Sequence, residues 1–215
     1  MIDVLVENLG ALWHGLLTTL ALTVLAFAGA LVLGTLMAVF RVSPILPLRV
    51  IGAVFVELLR NVPLLSLLIL FAYGLPYLGI EMSLFTTAVV CLLLVSASFT
   101  CEAVRGGINA VPVGQAEAAR AIGLTFAQSL ATVILPQALR TMVQPLVNVF
   151  IGVALGSSLA AAIAVPELTY TAQQVGNQTA ESMLMFVVSA LVYIAIAMLG
   201  GGAGSVLERR LAVQR

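Results

Sequence analysis

The stretch VRGGINAVPVGQAEAARAIGLTFAQSLATVILPQALR, residues 104–140, decides the fold. Read as containing a membrane span, it makes a six-span protein; read as lying in water, it leaves five. Residues 121–139 carry no charge and approach the roughly 20 residues a helix needs to cross a hydrocarbon core. Yet they include Gly123, Thr125, Gln128, Ser129, Thr132, Pro136 and Gln137. The apolar residues Leu124, Ala127, Leu130, Ala131, Ile134 and Leu135 recur at helical spacing, so the stretch is amphipathic rather than apolar all round. The arginines arbitrate. With five spans, the inner segments 41–49, 103–140 and 208–215 hold Arg41, Arg49, Arg105, Arg120, Arg140, Arg209, Arg210 and Arg215, and the outer segments hold none. A sixth span would move Arg140 and the three C-terminal arginines outside, leaving four against four. The bias of bases toward the cytoplasm selects five.

The remaining uncharged runs fit that reading. We expect an all-α integral membrane protein with spans of about 12–40, 50–73, 83–104, 141–163 and 183–206, in one domain over 1–215. The second span contains Glu57 and Arg60, and the outer segments hold Asp3, Glu7, Glu81, Glu167 and Glu181. Of the 215 residues 62% are hydrophobic and 8% charged, with mean hydropathy +1.18. A soluble domain carries about 25% charged residues, so a soluble enzyme is excluded. The start, MIDVLVEN, has two acids and no base, unlike the n-region of a secretory signal. Cys91 and Cys101 lie in an apolar run and are expected to be buried free thiols.

Between the third and fourth spans, Gly106, Gly107 and Pro112 are expected to break the helix. Gly114 then opens a short helix, GQAEAARAIG, with Glu117 in its first turn, where a carboxylate favours the helix dipole. Ala118 and Ala119 offer small side chains, and Gly123 ends the helix. Composition alone leaves two readings open, a docking element or a solvated loop helix.

The residues resemble a known family. Glu117-Ala118-Ala119, then Gly123, then Val133-Ile134-Leu135-Pro136 is similar to the EAA loop of ABC-importer permeases, here spanning 105–140. Gly114-Gln115 and Pro136-Gln137-Ala138-Leu139-Arg140 resemble the polar amino acid permeases in particular. So do Arg60-Asn61-Val62-Pro63-Leu64, Glu102-Ala103-Val104-Arg105-Gly106-Gly107, Val165-Pro166-Glu167-Leu168-Thr169 and Gln173-Gln174. Arg41-Val42-Ser43-Pro44 and the tail 207–213 look most like glutamate-type permeases. One departure stands out: where the family has Lys and Asp or Asn before its Ser-Leu pair, this chain has Leu155-Gly156-Ser157-Ser158.

The resemblance implies a type I ABC importer permease, one half of a transmembrane pair whose second permease subunit is identical or paralogous. It implies two ATP-binding subunits, which would hold ATP and Mg, and an extracytoplasmic amino acid-binding protein. It places the chain in a bacterial inner membrane, among lipid, with the N-terminus outside and the C-terminus cytoplasmic. It assigns ATPase coupling to Gly114, Gln115, Glu117, Ala118, Ala119, Arg120 and Gly123. The substrate favoured is glutamate or glutamine, with another polar or basic amino acid as the alternative.

The chain's own chemistry agrees. With no Lys among its nine bases it has no P-loop lysine, so ATP energy must arrive through a partner, and no cofactor is expected in this chain. Scattered arginines and zero net charge argue against nucleic acid. The single His, His14 beside Trp13, suits a membrane interface, and no HExxH or GxSxG motif supports an intramembrane enzyme. A passive channel would explain the spans but not the docking segment. Intramembrane charges are usually paired or functional. Glu57 and Arg60, like Glu102 and Arg105, are spaced i,i+3 and can pair on one helix face; Glu57, Pro63, Glu102 and Arg105 are read as structural or gating residues, and Arg60 either braces the kink at Pro63 or faces the cavity. Arg60, Asn61, Ser98, Thr100, Gln144, Asn148, Ser157 and Ser158 are the candidate pathway residues, Gln144 and Asn148 sharing a face at i,i+4 and Ser96 joining Thr100. Gly29, Gly34 and Gly200 to Gly204 are expected to mark close helix packing.

Cysteine labelling in a background without native cysteines tests the topology. Positions near 78, 170 and 178 should react from outside only, and positions near 45, 116 and 212 from the cytoplasm only. Reversed accessibility at 170 and 116 would contradict the five-span reading.

Overall fold

The computed structural model describes residues 2–211, all helix and connections with no strand among them. A short helix α1 (Ile2–Glu7) leads into α2 (Leu9–Val42). α3 (Leu46–Asn61) and α4 (Leu64–Ile69) follow, the latter continuing through a π turn, Leu70–Gly74, and a 3-10 turn, Leu75–Leu78. α5 is Leu84–Asn109, α6 is Val113–Ala121 and α7 is Phe126–Ser129. A π turn, Leu130–Ile134, joins α7 to α8 (Leu135–Gly156), which tightens into a 3-10 segment, Ser157–Ile163. α9 (Leu168–Thr179) and α10 (Ser182–Leu211) complete the chain. Positions 212 and 213 of the resembling tail, the labelling site near 212 and Arg215 lie outside the described residues.

Four helical runs are long and apolar enough to cross a membrane: Leu9–Val42, Leu84–Asn109, Ala131–Ile163 and Ser182–Arg210. The expected span 50–73 is not one straight helix. It is a pair, Leu46–Asn61 and Leu64–Leu78, bent by 100°. Pro63 forces the break, because it has no N–H to donate and pushes Val62 into an extended conformation, φ −92° and ψ 124°. Other boundaries move as well. α5 runs through Gly106 and Gly107 to Asn109, so those glycines do not break it. The helix that carries the fourth span begins before 141, with Pro136 in its first turn, where a missing N–H costs nothing.

Three apolar clusters stack along the bundle. At one end Met37 and Ala38 of α2 meet Val56 of α3, Cys101 and Val104 of α5, and Ala138 and Met142 of α8. The middle joins Leu22 and Ala26 to Leu68, Leu92, Val153 and Ile163. At the other end Leu12 packs with Leu168, Ala172 and Val175 of α9 and with Met185 and Tyr193 of α10. α2 packs most extensively on α5, and Gly34 permits it: a Cβ there would lie 2.5 Å from Thr100 Cβ and 2.6 Å from Ala97 O. Gly29, Gly200 and Gly204 are likewise pressed against side chains, as expected, whereas Gly202 faces open space. Cys91 and Cys101 are buried free thiols.

α9 was not expected from the sequence. Glu167 caps it, Oε1 accepting from Tyr170 N at 2.7 Å and Oε2 from Thr169 N at 2.9 Å. Oε2 also accepts from Tyr193 Oη at 2.6 Å and from Thr19 Oγ1 at 3.4 Å, while Thr19 Oγ1 accepts from Leu168 N at 3.1 Å. One buried carboxylate thus ties α2, α9 and α10 together. Burial pushes the Glu167 carboxyl above the ordinary carboxylate range, and the hydrogen bonds from Tyr193, Thr169, Tyr170 and Thr19 pull it back only in part.

A carboxyl whose folded pKa is raised contributes stability below its unfolded pKa and loses it as pH rises through the folded value. The purified protein should therefore lose thermal stability as pH rises out of the ordinary carboxylate range, and Glu167→Gln should flatten that decline while lowering the melting temperature throughout. An identical slope in both proteins would contradict the assignment.

Candidate functional site

α5 and α8 diverge around a groove of about 680 Å³. On α8 it is lined by Thr141, Pro145, Asn148, Val149 and Gly152, one helical face. On α5 the lining runs from Leu92, Val95, Ser96 and Phe99 to Glu102, Ala103, Gly106 and Gly107, with Ala110 just past its end. Leu64, the first residue of α4 after the break, closes one end. The wall is mostly apolar, with polar side chains from Ser96, Glu102, Thr141 and Asn148. That is the lining expected of a small-molecule passage: few polar groups on an apolar surface.

Glu102 carries the only charge in the lining, and it is heavily contested. Its Oε2 accepts from Arg105 Nη2 at 2.7 Å, and its Oε1 from Arg41 Nη1 of the last turn of α2. One turn back along α5, the Arg60 guanidinium lies 5.4 Å from the centroid of the Phe99 ring, a cation–π contact of about 0.5–1 kcal/mol at an exposed site. Three arginines from α2, α3 and α5 therefore gather around one carboxylate. The surroundings of the groove carry surplus positive charge.

The sequence-derived candidates divide. Asn148 lines the groove, and Arg60 borders it through Phe99. Gln144 does not join Asn148: its Nε2 donates to Glu208 Oε2 of α10 at 2.8 Å. Thr100 points at Gly34 of α2, its buried Oγ1 lacking a hydrogen-bond partner, whereas its companion Ser96 does line the groove. Ser98, Ser157 and Ser158 turn back onto their own helices, donating to Val95 O, Ala154 O and Leu155 O. Asn61 donates to Glu57 O at 2.7 Å at the end of α3. Glu102 and Arg105 pair as expected, but Glu57 and Arg60 do not: both ion pairs among the described residues use Glu102. Arg60 turns instead to the aromatic face of Phe99. Gly156, where the family carries charge, packs against Leu64 and Leu92, at the end of the groove. Leu64, Val95 and Phe99 were missed by sequence reasoning. The signal for the α5 pair was their alignment with Glu102 at i,i+3 and i,i+7 spacing.

At the same end of the bundle as Glu102, α6 stands exposed. Only Ala119 is buried, while Gly114, Gln115, Glu117, Ala118 and Arg120 face outward. The helix begins at Val113 after Pro112, one residue earlier than expected, so its first turn holds no acid and Glu117 lies in the second. Gly123 at φ 87° closes it, with Leu124 N donating to Ala119 O and Gly123 N to Arg120 O, a left-handed turn that other residues enter only with strain. Gln137 Nε2 reaches Gln115 Oε1 at 3.5 Å, linking α6 to the start of α8.

An all-helical bundle of membrane-crossing length, with a mostly apolar groove that carries a few polar groups and a short exposed helix at one end, has the architecture of an integral membrane protein. The chain is a member of the family described as the binding-protein-dependent transport system inner membrane component, whose model matches residues 30–213. It is 35% identical over 210 residues to the probable glutamine ABC transporter permease protein GlnM of Bacillus subtilis, covering 98% of this chain and 97% of that one. It is 33% identical over 212 residues to the glutamate transport system permease protein GluC of Corynebacterium glutamicum, covering 92% of each. Among solved structures, an amino acid ABC transporter crystallised with histidines superposes with a TM-score of 0.91 at 32% identity over 96% of each chain. The chain is an amino acid ABC importer permease subunit, a transport component rather than an enzyme.

Removing Glu102 leaves Arg41 and Arg105 facing each other without a counter-charge, whereas removing either arginine leaves the other pair intact. With side chains 18–35% exposed, the loss should fall below the roughly 3–5 kcal/mol of a fully buried pair. Glu102→Gln should lower the melting temperature of the purified protein more than Arg41→Gln or Arg105→Gln does. The reverse order would contradict the shared-carboxylate arrangement.

Proposed function

We propose that this chain is the permease of an importer for glutamate or glutamine. The amino acid would pass along the α5–α8 groove by alternating access, a rigid-body switch driven from an interface. The observation that carries the substrate class is the charge balance of the groove. Glu102 is claimed by Arg41 and Arg105, Arg60 stands beside it on Phe99, and position 156 offers no carboxylate. Glu57 and Arg60, which spacing alone placed together, do not pair; this cluster carries the charge balance instead. A lysine- or arginine-type substrate would meet surplus positive charge, and desolvating a cation there without a partner is costly. An α-carboxylate, or the side chain of glutamate, meets the opposite. Relatives named for glutamine and glutamate accord with this reading, and others are named for cystine and arginine.

α6 is the coupling helix in this reading. Gly114, Gln115, Glu117, Ala118, Ala119, Arg120 and Gly123 would seat it on ATP-binding subunits that hold ATP and Mg. The working unit comprises two permease subunits, two ATP-binding subunits and an external amino acid-binding protein. The chain sits in the inner membrane with its N-terminus outside and its arginine-rich segments, α6 included, in the cytoplasm. Closure of the ATPase pair would push α6, and the Gln115–Gln137 contact and α7 would carry that movement into α8.

Gly123→Leu should assemble in the membrane yet lose transport-coupled ATP hydrolysis, and Glu117→Lys should lose part of it. Normal stimulated turnover in both would remove the coupling role of α6. Uptake competition in cells carrying the whole transporter tests the substrate class. Glutamate or glutamine should compete strongly and arginine or lysine weakly; the opposite pattern would refute the assignment.

A further inference from the structure

α8 carries a second groove on the face opposite the first. Thr141, Asn148 and Gly152 face the polar groove, whereas Val143, Val147 and Phe150 line a separate cavity of about 650 Å³ between α2, α8 and α10. At 3.6 residues per turn the two sets lie on opposite sides of one helix. If the first groove faces the transport pathway, the second faces the bilayer. Beside it, Gly200 and Gly204 let α10 press closely against α8. A Cβ at Gly204 would lie 2.3 Å from Val147 Cγ2, and one at Gly200 would lie 3.1 Å from Phe150 Cε1. No lining residue is polar, so nothing there would hold water.

The chemistry at the end of this groove selects its occupant. Leu139 and Leu207 form its last turn. One step beyond, Arg140 continues the Val143–Val147 stripe of α8 and Arg210 continues the Ala203–Leu207 stripe of α10, both exposed. The acid nearby, Glu208, accepts from Gln144 Nε2 and so bridges α8 and α10 across the same end. With Arg209, three bases stand against one acid. Basic groups between membrane helices at the headgroup level recognise anionic lipid. We propose that this groove holds an acyl chain of an anionic phospholipid, with its phosphate against Arg140 and Arg210. That this end faces the cytoplasmic leaflet rests on the orientation proposed above, which labelling tests separately; the lipid's charge preference does not.

The test uses the whole transporter, the permease together with its ATP-binding subunits, purified in detergent and exposed to phosphatidylglycerol or phosphatidylcholine. Native mass spectrometry then counts retained lipid. Phosphatidylglycerol should be retained roughly 25-fold more strongly, about 5-fold for each arginine. Arg140→Gln combined with Arg210→Gln should bring the two lipids near parity. Ala203→Leu, which fills the groove from an exposed position and leaves both arginines in place, should lower retention of both lipids. Equal retention by the unaltered transporter, or undiminished retention by Ala203→Leu, would overturn the proposal. Loss of a protein subunit from Ala203→Leu would also overturn it, assigning the groove to a helix of that subunit.

Discussion

Inside hydrocarbon there is no water to satisfy a freed backbone group, and each one left alone costs several kcal/mol. The break inside the second span answers to that constraint. The sharp break between α3 and α4 falls at Pro63, which has no N–H to strand, and Pro63 O then accepts from Leu67 N at 3.1 Å. The helical runs ending near Gly79, Gly123, Ala164 and Ala180 all close in the same left-handed way, with a backbone N–H reaching back five residues: Ile80 to Leu75, Leu124 to Ala119, Val165 to Ala160 and Glu181 to Gly176. Two of the four turning residues are alanines, each at a strain of roughly 1–2 kcal/mol. They bracket α9, the element that Glu167 anchors to α2 and α10.

The same constraint positions the function. A bend inside a membrane is tolerated where it is buried in protein or borders a water-filled space. Here the break ends at Leu64, which closes the α5–α8 groove, and it leaves Arg60 at the end of α3, beside Phe99. The break and the groove are one feature. Around it the charges are unequal, with one carboxylate shared by two arginines and a third arginine within a helical turn. Such an arrangement holds α2 and α5 together and, in the proposed function, leaves the groove open to anionic groups.

How much of this was legible in the sequence varies with how local the cause is. Span number followed from composition and arginine placement, because membrane thickness and charge bias act on the chain segment by segment. The α6 helix followed from Pro112, the alanines and Gly123, all local signals. The bend at Pro63 was legible only as a kink, because its angle depends on what α4 packs against. Partnerships between helices were not legible at all. Spacing placed Glu57 with Arg60 and Gln144 with Asn148, but Phe99 and Glu208 offered better partners from other helices. α9 went unseen although Leu168, Ala172, Val175 and Gly176 have helical spacing, because its anchor, Glu167, looks like an ordinary loop acid until Tyr193 and Thr19 close over it.

The central claim is that the α5–α8 groove is the passage and opens and closes with the ATPase cycle. Asn148 reports on it directly, since it lines the groove and both native cysteines are buried. In the assembled transporter with Cys91 and Cys101 replaced, Asn148→Cys should react with a water-soluble thiol reagent from the cytoplasm without nucleotide. Trapping the ATP-bound state should suppress that reaction, and bound substrate should slow it. A rate that is the same with and without nucleotide, or no reaction in either state, would contradict the account.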